Sequence, residues 1–395
     1  MRPAAHRLLS ALLIFILIAS IAPFKPAHAS VYNARPKLIV VIVVDQFRGD
    51  YLERYRDQFG AGGFRMLRDK GANFTECYYD YANTHTAPGH ATLFTGAYTS
   101  GHGIVGNDWY DPERKKFVSS VQDENFKLIG ANGTGASPRN LLVTSLGDEM
   151  KLATGGKSRV FSVSLKDRSA ILPGGRSADG AYWIEKDTGL FVTSSYYRNE
   201  MPAWAAEFNA QKKNEKYLNL EWKDAKGKVM RSTAPGQKDL DGTVLGFYDS
   251  VGRTPFANDY QLEFIRELIA NEKLGAGPAT DLLVISLSSY DILGHKVGPD
   301  SPELVAMTLA LDKQLAEFFA YLGRQVGLAN TWIALSADHG VAPMAETAAG
   351  YRIPSSRLDV AAFRRDLNTQ LLTKTGGAKT ANYIRGVKWP IISVA

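Results

Sequence analysis

KLIVVIVV, Lys37 to Val44, is apolar at every position after the first, rich in β-branched side chains, and stops at Asp45. A strand with no polar position has no face for water, so the run reads as a strand buried on both faces in a largely parallel sheet. Arg159 to Leu165 (RVFSVSL), Asp281 to Leu287 (DLLVISL) and Thr331 to Ser336 (TWIALS) repeat the texture. Each is followed within a few residues by charged or metal-capable side chains.

Helical patterns lie between these runs, over roughly 63–70, 139–153, 260–273 and 301–323. The last has Ser301 as N-cap, Pro302 in its first turn and a glycine stop. Strands alternating with helices predict a three-layer α/β/α fold around a mostly parallel central sheet. Ligands of such sheets bind outside the carboxyl ends of the strands, where the charged residues of this chain gather.

Further out, the texture changes from about Ala170 to Val251, which is rich in Gly, Tyr and Lys and carries a hairpin-like AYWIEKDTGLFVTSSYY turning near Thr188-Gly189. This stretch is expected to be an insertion that caps the active end of the sheet. At the start of the chain, Arg2 and Arg7 precede an apolar run from Leu8 to Ile21, and Ala27-His28-Ala29 has the A-x-A form of a cleavage site. Residues 1–29 therefore read as a secretory signal, too short in its apolar part to span a bilayer, and residues 30–395 as the folded domain. The protein is expected to be exported, periplasmic or secreted, with no membrane attachment once the signal is removed.

The 395 residues include 46 Lys+Arg and 40 Asp+Glu. Removing the signal takes away three basic residues and no acid, leaving 43 against 40, so no electrostatic case for nucleic acid remains. Cys77 is the only cysteine, so an intramolecular disulfide is impossible and the core, or a metal, must supply the stability. It reads as a small apolar strand residue.

Two nucleotide and sulfate motifs fail on inspection. Gly156-Lys157-Ser158 resembles the end of a P-loop, but Lys151 stands where its first glycine is required. A sulfatase needs its cysteine in a C-x-P-x-R context, whereas Cys77 is followed by Tyr-Tyr-Asp-Tyr.

What remains is a set of hard donors at strand ends. Asp45 is either a turn or N-cap residue or a carboxylate that pairs with a cation, since a lone buried carboxylate is costly. Asp338-His339-Gly340 follows the Thr331 strand in the same way. Asp291 and His295 are four apart, so one helical turn puts them on one face, a geometry shared by surface ion pairs and by two ligands of one divalent metal. Asn83 to Thr92 (NTHTAPGHAT) has the form of a loop opening a helix, with Pro88 in the first turn and Gly89 allowing close approach. Free N–H groups at a helix start suit a phosphate, and Thr86 there is an N-cap or a nucleophile activated by a metal.

Together these residues resemble the alkaline phosphatase superfamily. Within it they are most similar to the branch with a threonine nucleophile, which includes the nucleotide pyrophosphatases/phosphodiesterases and the secreted phosphate-irrepressible alkaline phosphatases. The resemblance runs from about Lys37 to the end. It implies two zinc ions: one held by Asp45, the nucleophile Thr86, Asp338 and His339, the other by Asp291, His295 and a later histidine. It also implies that Asn107, in Gly-Asn-Asp-Trp-Tyr, binds a phosphoryl oxygen, and that Lys166-Asp167-Arg168 is the K-x-R pair of the monoesterases. A monoester carries an extra negative charge, which a lysine and a planar guanidinium neutralise and orient.

The expected activity is hydrolysis of small phosphate monoesters through a phosphothreonine, with a diesterase or nucleotide pyrophosphatase on the same scaffold as the alternative. The histidines after the signal are His85, His90, His102, His295 and His339, so the later zinc ligand is missing and the chain reads as incomplete at its C-terminus. The second site is then weakened, and an inactive metal-binding remnant is a further alternative. His85, His90 and His102 match no ligand and are expected to be structural or to support the ligands from behind.

Overall fold

The computed structural model describes residues 35–238, 242–377, 382–388 and 391–394, so the signal segment 1–29 lies outside the described residues. Eight strands form one sheet: β1 (Leu38–Val44), β2 (Gln122–Ile129), β3 (Thr134–Ala136), β4 (Val160–Ser164), β5 (Gly180–Ile184), β6 (Phe191–Ser194), β7 (Asp281–Leu287) and β8 (Thr331–Ser336). Their order is β8-β1-β7-β4-β5-β6-β2-β3. The pairings from β8 to β5 are parallel, and those from β5 to β3 are antiparallel. The sheet is thus mostly parallel, as the apolar runs require.

β1 alternates between two cores. Leu38, Val40, Ile42 and Val44 face helices α4 (Phe256–Asn271) and α6 (Pro302–Gln325), packing with Phe264, Leu311 and Leu315. Ile39, Val41 and Val43 face the other side, where Phe94 of α1 (Thr86–Thr95) and Met150 of α2 (Leu146–Ala153) pack with Leu282 and Val284. Helix α3 (Asp167–Gly174) joins that second layer through Ala170, Ile171 and Leu172. Each fully buried Val or Ile contributes about 1.5–3 kcal/mol of transfer free energy, so a run apolar at every position is held from both faces.

Register then aligns the strand ends. Val44 pairs with Leu287 and Val43 with Ser336, so β1, β7 and β8 finish at one level. The next residues of four adjacent strands, β8, β1, β7 and β4, leave the sheet side by side.

Three local expectations differ. The helix anticipated over 139–153 starts only at Leu146, because Ser145 forms a capping box with Asp148 while Arg139 is held by Asp123 at 3.1 Å and Asn140 by the Ser120 carbonyl at 2.9 Å. Cys77 is exposed in a loop rather than in a strand, and the inward contact there comes from Tyr79, whose hydroxyl donates to the Ala337 carbonyl. Within the 170–251 stretch, the hairpin around Thr188-Gly189 supplies β5 and β6 to the main sheet instead of lying over it. Its short strands are fully buried, which stacks Phe191 on Phe264 with ring centroids 3.8 Å apart. The rest of the stretch packs Phe208 and Tyr217 against Tyr260 of α4.

Candidate active site

The four aligned strands deliver five polar groups to the same point. Asp45 follows β1, Lys166 follows β4, Asp291 lies in the first turn of α5 (Ser289–Val297) after β7, and Asp338 and His339 follow β8. All five are buried. Lys166 Nζ donates to Asp45 Oδ2 at 2.6 Å and to Asp291 Oδ2 at 2.5 Å. His339 Nε2 lies 3.4 Å from Asp45 Oδ1 and 3.7 Å from Asp338 Oδ2.

Asp338 is fixed through its other oxygen. Oδ1 accepts the backbone N–H groups of Gln46 at 3.0 Å and His339 at 2.9 Å. That leaves Asp338 Oδ2 and Asp45 Oδ1 buried without a hydrogen bond among the described residues. Two such oxygens flanking a ring nitrogen form a donor set of hard oxygen and imidazole that suits a divalent cation. One donor atom each from Asp45, Asp291 and His339 lies within 4.8 Å of the others. Asp45, Asp291 and His339 thus form a group that could hold a metal ion, with Asp338 Oδ2 beside His339.

The electrostatics follow from burial set against charge. Burial disfavours the charged form of His339, but the carboxylates of Asp338 and Asp45 outweigh it and hold the imidazolium pKa up at about 10. Burial alone would raise Asp338, yet His339 and His90 pull its carboxyl well below the ordinary range. Lys166 is raised in the same manner: desolvation opposes its charge, and Asp291 and Asp45 overcome it.

The Thr86 helix docks directly on this cluster. His85 is the N-cap, Thr86 is the first helical residue and is buried, and Pro88 sits in the first turn. Gly89 packs its backbone against that of Asp338, where any side chain would collide with the Asp338 carbonyl. One turn on, His90 Nδ1 is 2.8 Å from the Thr86 carbonyl oxygen and 3.3 Å from Asp338 Oδ2. Both are acceptors, so Nδ1 carries the proton; Nε2 faces Ser286 Oγ of β7 at 2.9 Å. His90 is therefore the buried link between the threonine helix and the β8 carboxylate, a tie that position in sequence alone does not reveal. His102 is buried apart from the cluster, its pKa pushed down to about 4 by burial, with Nε2 3.1 Å from Thr92 Oγ1. His85 is half-buried, its pKa lowered first by burial and then by His339 and His295.

The other anticipated residues stand around the cluster. Asn107 Oδ1 accepts the Ala87 N–H at 2.8 Å, tying its amide to the first turn of α1. A cavity of about 850 Å³ opens beside Asn107 and Arg168 and is also lined by Phe117, Trp183, Lys186 and Lys388. Arg168 Nε is buried without a hydrogen bond among the described residues, while its Nη1 is 3.7 Å from Asp167. Asp291 and His295 do share a helix face, with His295 Nε2 3.0 Å from Asp291 Oδ1, but His295 reaches solvent with its side chain 68% exposed. Lys166 is drawn to the carboxylates rather than toward Arg168. Sequence reading missed Gln46, which contacts Asp338, Asp291 and His295. Its only signal is its place directly after Asp45.

No described helix is long and apolar enough to cross a membrane. The chain is 40% identical to alkaline phosphatase PhoV of Synechococcus elongatus over 326 residues, which cover 78% of this chain and 59% of that protein. It is 37% identical to alkaline phosphatase PafA of Elizabethkingia meningoseptica over 364 residues, 87% of this chain and 66% of that one. It thus spans about three-fifths to two-thirds of the length of these relatives. The crystal structure of wild-type PafA superposes with a TM-score of 0.82 at 35% identity, covering 91% of this chain and 72% of the other. The family model for type I phosphodiesterase / nucleotide pyrophosphatase matches residues 39–357, so the threonine helix and the donors gathered at the ends of four parallel strands fall inside the match, and the chain belongs to that family.

Proposed function

We propose that this chain is the catalytic part of an exported, zinc-dependent phosphomonoesterase of the alkaline phosphatase type, working through a phosphothreonine on Thr86. The observation that carries the reading is the packing of the Thr86 helix, through Gly89 and His90, onto the backbone and carboxylate of Asp338 beside Asp45 and His339. The relatives named alkaline phosphatase support it.

Two zinc ions, held by Asp45, Thr86, Asp338 and His339 and by Asp291 and His295, would supply the positive charge that activates the threonine hydroxyl and stabilises the departing alkoxide. Thr86 Oγ1 attacks phosphorus, the ester P–O bond breaks, and the alcohol leaves. Water then cleaves the phosphothreonine, regenerating Thr86 and releasing phosphate. The amide N–H groups of Asn107, the Arg168 guanidinium and Lys166 take up the non-bridging oxygens. Lys166 has three N–H donors and gives two to Asp45 and Asp291, which leaves one for the phosphoryl group. Small phosphate monoesters are the substrates this set of cations favours.

The test compares 4-nitrophenyl phosphate with its methyl diester. The reading expects a higher kcat/KM for the monoester; a higher value for the diester would make the protein a phosphodiesterase.

A further inference from the structure

Gln46 directly follows Asp45, is 1% exposed, and takes no part in the chemistry above. Its backbone has φ 67, a conformation that a long side chain rarely adopts and that persists where surrounding contacts hold it. Those contacts reach both expected metal positions. The Gln46 N–H donates to Asp338 Oδ1 at 3.0 Å. Its side-chain Nε2 donates to Asp291 Oδ1 at 2.7 Å and lies 3.4 Å from His295 Nε2.

The orientation of the amide follows from chemistry. Asp291 accepts only, so the NH2 end must face it, and this places Oε1 toward Gly294, where a side chain would collide. On α5 Asp291 lies three residues before Gly294 and His295 directly after it, so the glycine makes room for the amide beside the two donors of that helix. A residue serving only as a turn would not need a buried amide that donates to a carboxylate.

We propose that Gln46 is a positioning residue that sets the spacing between the two metal positions, its backbone holding Asp338 and its side chain holding Asp291. The inference rests on the metal-centre reading above. Residues that orient metal ligands from behind typically change metal affinity about 10- to 100-fold when removed.

Two variants separate backbone from amide. Gln46→Gly accepts the left-handed backbone without strain and deletes the amide; Gln46→Met keeps the volume and the strained backbone and removes only the hydrogen bonds. The measurement is Co2+ binding by chelator competition, followed by the visible absorption of the bound ion, with thermal unfolding of the metal-free protein alongside. Both variants should bind the second Co2+ about tenfold or more weakly, with an altered spectrum, while each still unfolds cooperatively in the metal-free state. If both variants bind two Co2+ ions as the wild type does, the positioning role is wrong and the metal centre stands. If the wild type binds fewer than two Co2+ ions, the two-metal reading falls, and this proposal with it.

Discussion

Gly89 of the threonine helix and Asp338 at the end of β8 lie backbone to backbone, with no room for even a methyl group between them. This contact sets where Thr86 sits relative to the carboxylate. Gly89→Ala must push the helix away, which costs about 1–3 kcal/mol in a packed interior. Urea unfolding should show that loss, and monoester turnover should fall by more than the small unfolded fraction explains. Wild-type turnover with wild-type stability would separate the helix from the site.

Lys166 is the cation between Asp45 and Asp291. Replacing it with Met leaves two buried carboxylates facing each other, and breaking such a group by removing one partner costs about 3–5 kcal/mol. Chelator-treated Lys166→Met should unfold at lower urea than the wild type, and Zn2+ should recover more stability in the variant than in the parent. A variant as stable as the parent without metal would mean that the carboxylates are not held as described.

Arg168 lies beside the cavity with its Nε unpartnered among the described residues. A charge-assisted hydrogen bond contributes about 1.5–3 kcal/mol, so Arg168→Ala should lower monoester kcat/KM by about one to two powers of ten and diester kcat/KM by less. Equal losses on both esters would remove Arg168 from monoester selection.

Much of this arrangement was legible in the sequence, for a physical reason. β1, β7 and β8 are buried on both faces or finish beside such a strand, so their apolar runs mark them, and β7 and β8 begin and end where the sequence places them. Asp45, Asp291 and Asp338-His339 were legible because they interrupt or follow those runs. Gln46 and His90 were not, since their partners are 245 and 248 positions away and are brought close only by the strand order β8-β1-β7. The hairpin of β5 and β6 was misplaced above the sheet because its turn residues look alike whether the strands extend the sheet or cover it.

Away from the site, Asp259 provides a pH test. Burial, with Glu317 and Glu263 nearby, raises its pKa from 3.8 to about 6 against the hydrogen bond from Gln314. A raised carboxyl pKa means that the folded state binds the proton more tightly. Its stabilising contribution is therefore complete below about pH 4 and is lost as pH rises through about 6. A difference of this size amounts to at most about 3 kcal/mol, and partial exposure trims it to about 1–2 kcal/mol. Asp259→Asn, which keeps an oxygen for Gln314, should be more stable than the wild type at pH 8 and equal to it near pH 4. An advantage that does not change between these pH values would contradict the shift.

The most direct test of the account is to quench the zinc-loaded protein at acid pH during turnover of a labelled phosphate monoester and map the label by peptide mass spectrometry. The account predicts a phosphoryl group on Thr86 in the wild type and none in a folded Thr86→Ala variant. Label retained in that variant, or found on another residue of the wild type, would contradict it.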